Sequence, residues 1–218
     1  KDNAITRSAR AILMFAPGQE DLFMDILKEQ QGIIEKEYHK TDAGMSIEGF
    51  LELSKEDAES VDGVLPMTDV CGNAVITALR TFPWGVQKMS KDMEGLVQTS
   101  LNPGILETKA DTVSLVFSVR SSVASEKEEL YDRLVCLTES LGGKVSRSGD
   151  YPAWEYVEDS KLRILMGDTY REMYKKEPVM EVIHAGVECG LFSEKMPGLD
   201  CVSYGPDIFD IHTPQERL

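Results

Sequence analysis

The chain has 218 residues, and its 38 acidic side chains outweigh 23 lysines and arginines to leave a formal net charge of -15. That charge repels phosphate backbones and anionic lipid surfaces, which argues against nucleic-acid and membrane partners, and no apolar run approaches the ~18 residues of a membrane span. Cys71, Cys136, Cys189 and Cys201 are widely spaced without a Cys-x-x-Cys pair, a pattern that suggests neither a thiolate metal cage nor a dense disulfide framework and points to a reducing, cytoplasmic setting.

The length suffices for one sizeable core or two small ones, and two lobes are expected. Residues 6 to 15 are rich in apolar and β-branched side chains and read as a strand ended by Ala16-Pro17-Gly18. Beyond that turn Leu22, Phe23, Ile26, Leu27, Ile33 and Ile34 recur at helical spacing, giving an amphipathic helix over about 19 to 38. Met45, Ile47, Leu51 and Leu53 then share one face of an alternating segment, with Gly49 between them, so a half-buried strand completes a βαβ unit. An acidic linker is expected over 57 to 66. A helix over about 69 to 82 follows, turning Cys71, Val75, Ala78, Leu79 and Phe82 inward and ending at Pro83-Trp84-Gly85.

Two further segments, 96 to 101 and 111 to 120, read as an antiparallel pair interrupted near Asn102-Pro103-Gly104. Val113, Leu115, Phe117 and Val119 line one face of the second, which leaves Arg120 at the strand end on the opposite face. Ser125-Glu126-Lys127-Glu128 has the spacing of a capping box, and Leu130, Leu134, Leu137 and Leu141 form a stripe up to Gly142. A closing strand is expected over 145 to 148. The economical solution for 1–150 is a two-layer α/β sandwich, an α+β arrangement with a mostly antiparallel sheet and helices on one face.

Gly149-Asp150-Tyr151-Pro152-Ala153-Trp154 disfavours regular structure and marks a lobe boundary. The second lobe, 151–218, is expected to hold a helix over about 160 to 176 with Leu162, Leu165, Met166, Tyr170 and Met173 inward, then short strands over 179 to 183 and 201 to 204. The first strand leads to Glu188 and the second, through Gly205-Pro206, to His212, so a carboxylate and an imidazole converge on one strand edge, where α/β sheets bind ligands. Three elements cannot enclose a core, so this lobe is expected to be an incomplete α/β half-domain. The chain begins at Lys1 without a methionine and ends shortly after His212, and is read as a fragment truncated at both ends.

The run His184-Ala185-Gly186-Val187-Glu188-Cys189-Gly190-Leu191-Phe192, continuing through Asp200-Cys201-Val202-Ser203-Tyr204-Gly205-Pro206 to His212-Thr213-Pro214-Gln215-Glu216, resembles the C-terminal signature of aminoacyl-histidine dipeptidases. These are the PepD-type, carnosinase-like members of the co-catalytic zinc exopeptidase superfamily. Asn3-Ala4-Ile5 with Arg7, Thr99-Ser100-Leu101-Asn102 with Gly104, Arg120-Ser121, and Tyr151-Pro152 with Trp154 extend the resemblance over nearly the whole chain, in order. The resemblance implies that 1–150 is most of a lid and homodimerisation domain inserted into a two-metal catalytic domain, and that 151–218 returns to that domain.

It implies that His212 is a zinc ligand, a task suited to a neutral imidazole; residue type alone makes it a surface loop histidine. Glu188, otherwise a turn or helix-start acid, becomes a substrate-side group in the crevice wall able to meet the ammonium of a dipeptide. Arg120, otherwise a solvated strand-end charge, becomes the guanidinium that grips the substrate's terminal carboxylate through paired hydrogen bonds. Asn3 becomes a lid amide that steadies the tetrahedral oxyanion. His184 is read as structural, and Gln215 replaces the acid common at that point of the motif. No general base maps onto these residues, so no catalytic residue is assigned, and the fragment alone is expected to be inactive and to bind zinc weakly or not at all. The alternatives are a non-catalytic dimerisation or small-ligand-binding module, and a related zinc aminoacylase or other dipeptidase.

Overall fold

The computed structural model describes residues 4–180, 188–210 and 215–218. They form a mixed α/β fold of helices α1 (Glu20–Tyr38), α2 (Lys55–Val61), α3 (Asp69–Thr81), α4 (Ala124–Ser140), α5 (Lys161–Tyr174) and α6 (Glu188–Lys195), with strands β1 (Gly85–Met89), β2 (Val97–Thr108) and β3 (Val113–Ser121). The chain divides into two units. One comprises Lys1–Thr6, Asn73–Glu107 and Val113–Leu218; the other comprises Arg7–Gly72 with Thr108–Thr112.

In the first unit the three strands form a sheet of order β1-β2-β3. β1 runs antiparallel to β2 with Gly85 opposite Leu101 and Val86 opposite Ser100, and the register slips on either side of Lys88. β1 was not expected, because Pro83-Trp84-Gly85 reads locally as a helix end; Gly85 in fact opens a strand at φ +76°. Nor does Asn102-Pro103-Gly104 interrupt β2, which continues to Thr108. The β1 register stops at Leu101, and proline is tolerated where a strand becomes an edge. In β3 the expected alternation holds: Val113, Leu115, Phe117 and Val119 are half-buried while Ser114, Val116 and Arg120 are exposed.

Helix α4 covers this sheet. Leu130 (1 % exposed) and Leu134 (6 %) meet Leu101 (2 %) in a small core flanked by Phe82, Phe117 and Val119, with Phe82 edge-on to Phe117 at 5.4 Å. The leucine stripe is therefore correct, but the capping box is not. The N-cap of α4 is Val123, with no side-chain cap of its own, and the orphan N–H of Ala124 donates instead to Glu155 Oε1 at 3.1 Å. α3 turns Val75, Ala78 and Phe82 inward, whereas Cys71 and Leu79 are exposed.

In the second unit α1 presents Phe23, Leu27, Gln31 and Ile34 on its more buried face. The 45–53 segment is not a strand but lies across this face: Gln31 Oε1 accepts from Ile47 N at 2.5 Å, and Gly49 sits against Leu27 and Phe23. Residues 7–15 are likewise irregular rather than a strand, with Phe15 stacked on Phe23 at 5.1 Å and Arg10 ion-paired to Asp57. The expected acidic linker contains α2, because Ser54 accepts from Asp57 N at 3.1 Å and donates to the Asp57 carboxylate at 2.6 Å, a reciprocal cap that local spacing alone permits.

Past α4 the chain is irregular from 144 to 157, and the closing strand over 145 to 148 is absent from these described residues. Arg147 instead forks onto Glu128 with two bonds of 2.7 Å, donates to Asp150 at 2.6 Å and stacks over Tyr131. α5 forms as expected, but Leu165, Tyr170 and Met173 are exposed; Leu162 and Met166 are half-buried, and Gly167 is buried beside Met180. Residues 201–204 are irregular, correcting the strand expected there. The other expected strand, over 179 to 183, lies mostly outside the described residues, and its first two residues are irregular.

Candidate functional site

Glu188 opens α6, so the helix-start reading of this acid holds and its carboxylate stands exposed at the positive end of the helix. What fixes that helix is a close approach two residues on. Gly190 is buried, and a Cβ there would lie 2.8 Å from the Pro152 carbonyl oxygen and 3.6 Å from Trp154 Cβ. The two motifs that carry the family resemblance in this part of the chain, Tyr151-Pro152 with Trp154 and Glu188-Cys189-Gly190, are thereby brought into contact. Only a residue without a side chain lets them touch.

Arg120 stands exposed near the end of β3, on the face opposite Phe117 and Val119. Its placement on a strand anchored in the core gives its guanidinium a rigid base. Asn3, His184 and His212 lie outside the described residues. The chain next to Asn3 is described: Ala4 O accepts from Asn102 Nδ2 at 2.9 Å, and Thr6 Oγ1 donates to Pro103 O at 3.3 Å.

The Thr99-Ser100-Leu101-Asn102 run acquires a structural meaning that sequence reading missed. Leu101 enters the core and Asn102 holds Ala4, while Thr99, 2 % exposed, hydrogen-bonds Ser121 at 2.8 Å and donates to Glu126. Gln98 Nε2 also donates to Glu126 at 3.0 Å, and Lys88 pairs with it at 3.2 Å. Burial pushes the Glu126 carboxyl up, but these donors outweigh it and hold the group below the usual glutamate range. Glu126 is thus a junction between β1, β2 and α4.

Similar polar pins hold the 150–204 stretch. Lys127 Nζ binds Asp150 at 2.7 Å and also the Tyr151 carbonyl; burial opposes ionisation of Asp150, yet Lys127 and Arg147 together lower its pKa. Asp200 accepts from Leu162 N at 2.8 Å and from Ser160 Oγ at 2.6 Å, while Ser160, 3 % exposed, accepts from Arg163 N at 3.0 Å. The Leu162 N–H, then the Ser160 hydroxyl, lower the Asp200 pKa. Neither Glu155 nor Asp200 carries a local signal of its role, because each caps a helix far away in sequence. Among the described residues no group of three or more His, Cys, Asp or Glu side chains is gathered as for a metal ion, and no helix is long and apolar enough to cross a membrane.

No protein-family model matches the sequence. The chain is 30% identical over 216 residues, 99% of its length, to the cytosol non-specific dipeptidase of Escherichia coli (strain K12), of which it covers 43%. It superposes on the crystal structure of aminoacylhistidine dipeptidase from Vibrio alginolyticus with a TM-score of 0.73 at 30% identity, covering 91% of this chain and 39% of that one. The chain therefore spans less than half the length of either protein.

Proposed function

This chain is a relative of the PepD-like dipeptidases, and from that premise we propose that it supplies the lid and part of the crevice wall of an enzyme that hydrolyses Xaa-His dipeptides in the cytoplasm. The observation that supports the reading best is 30% identity sustained over 99% of the chain together with a matching fold. In this reading 1–150 is the lid, through which two copies pair, and 151–218 is part of the catalytic domain. The exposed guanidinium of Arg120 receives the terminal carboxylate of the dipeptide in a two-bond fork, which a single ammonium could not match. Glu188 accepts a hydrogen bond from the substrate's ammonium. The Asn3 amide donates to the oxyanion of the tetrahedral intermediate, where a fixed donor costs no reorganisation as charge develops.

The family resemblance gives this chain one zinc ligand, His212, which lies outside the described residues. One imidazole falls short of the three or four protein donors that zinc sites use, so no chemical step is derived through the metal. Zinc binding to the isolated 218-residue chain should accordingly be weak or absent by calorimetry.

The decisive experiment is a substrate panel on the full-length enzyme with and without Arg120→Ala. Alanyl-histidine should be cleaved, and the substitution should cut kcat/KM by roughly 100-fold, the equivalent of about 2 to 3 kcal/mol for a lost charged contact. Unchanged kinetics with loss of the dimer would favour a pure association module. Because a relative over nearly the whole chain is a non-specific dipeptidase, equal rates on dipeptides without histidine would replace the Xaa-His preference with a broader one.

A further inference from the structure

Two cysteines that are separated in sequence meet at the start of α6. Cys189, the second residue of that helix, and Cys201 are both half-buried, and Cys201 is among the neighbours that raise the pKa of the Cys189 thiol. One turn further along the helix, Ser193 Oγ donates to Cys201 Sγ at 4.0 Å. Cys201 therefore lies over the helix face that residues 189 and 193 share. The other two cysteines, Cys71 and Cys136, are exposed.

We propose that Cys189 and Cys201 form a modification site, an oxidisable dithiol that closes to a reversible disulfide within one chain when it meets hydrogen peroxide. The Cys201 thiolate attacks one peroxide oxygen, the O–O bond breaks, and the departing hydroxide takes up a proton as water, leaving a sulfenic acid. Cys189 gives up its proton and attacks that sulfur as the thiolate, the S–O bond breaks, and the departing hydroxide takes up that proton as a second water. The two thiols have then lost two electrons and two protons, and the peroxide has been reduced to two waters. Burial, then the neighbouring Cys201, pushes the Cys189 thiol up, so the closing step, which needs the Cys189 thiolate, quickens as pH rises. A disulfide needs its sulfurs about 2.05 Å apart, and Cys201 already lies against the helix that carries Cys189. The bridge staples the helix that begins with Glu188 to the stretch after Asp200. It does not depend on the dipeptidase reading.

The test uses the 218-residue chain, both unaltered and with Cys71→Ser and Cys136→Ser, treated with peroxide and read by intact mass, alkylation and peptide mapping. The expected result is simultaneous loss of both remaining thiols, a mass lower by two hydrogens, a cross-linked peptide joining residues 189 and 201, and full recovery with dithiothreitol. Adding Cys201→Ser should abolish the cross-link. The same cross-linked peptide in the unaltered chain guards against any folding defect in the variant. Independent alkylation of both thiols after oxidation, a sulfinic acid on one with the other free, or a bridge between chains would each overturn the proposal.

Discussion

The layer made by α4 on the sheet and the stretch from 150 to 204 belong to the same unit but are held by different forces. In the first, Leu101, Leu130 and Leu134 leave water and aromatic rings close around them. In the second no large apolar side chain is fully buried among the described residues; its order comes from Asp200 and Ser160 on α5, Glu155 on α4, Lys127 on Asp150, and the bare Cα of Gly190 against Pro152. Hydrophobic burial is non-directional and stabilises any arrangement of similar volume, whereas short polar bonds and a close backbone contact specify one geometry. The stretch that carries Glu188 is therefore the more exactingly placed and the more easily disturbed.

Four changes sharpen or break that contrast. The largest effect is expected from Leu130→Ala, which should cost about 2 to 5 kcal/mol by opening a cavity in the only fully apolar cluster among the described residues. Hydrogen exchange should then rise throughout β2, β3 and α4. Gly190→Ala comes next at about 1 to 3 kcal/mol, since the new Cβ forces α6 away from Pro152; the loss should appear as raised exchange in α6 with the sheet still protected. Ser160→Ala removes a helix cap and should cost about 0.5 to 2 kcal/mol, read as fraying confined to the first turn of α5. Should Ser160→Ala unprotect the sheet as much as Leu130→Ala does, the two regions are one cooperative whole and the contrast fails.

The smallest effect concerns acid. Glu126, Asp150 and Asp200 all have folded pKa values below their ordinary ones, so each contributes stability above its unfolded pKa and loses it as pH falls through the folded value. Stability should thus be level near neutrality and decline only below about pH 4.5, the ordinary carboxylate range. Replacing Glu126 with Gln should flatten part of that acid limb in a series of urea melts taken at successive pH values. An unchanged limb would remove Glu126 from the account.

How much of this was legible beforehand depended on the range of the interaction. Helices α1, α3, α4 and α5 announced themselves by periodicity, and the alternation in β3 put Arg120 on the exposed face. Strands over 6 to 15, 45 to 53 and 201 to 204 were read from the same kind of apolar pattern and did not form, because a short apolar run fits an extended segment packed on a helix as well as a hydrogen-bonded strand. Ser125 looked like a cap by spacing, yet the α4 terminus took Glu155. Of the candidate site residues, Arg120 stands exposed on β3 and Glu188 exposed at the start of α6, while Asn3 and His212 fall outside the described residues.

The sequence by itself determined helices α1, α3, α4 and α5, the leucine stripe that makes the core, the acidic surface and the order of the motifs that tie this chain to dipeptidases, since each is written in local spacing or composition. Only the tertiary structure decided that Gly190 meets Pro152, that Asp200 and Glu155 cap helices remote from them, that Thr99 and Glu126 knit sheet to helix, and that Cys201 lies against the helix carrying Cys189. Those contacts join residues whose separation along the chain carries no periodic signal. Their partners are selected by the folded geometry, which is where a hydrogen bond or a missing side chain acquires its meaning.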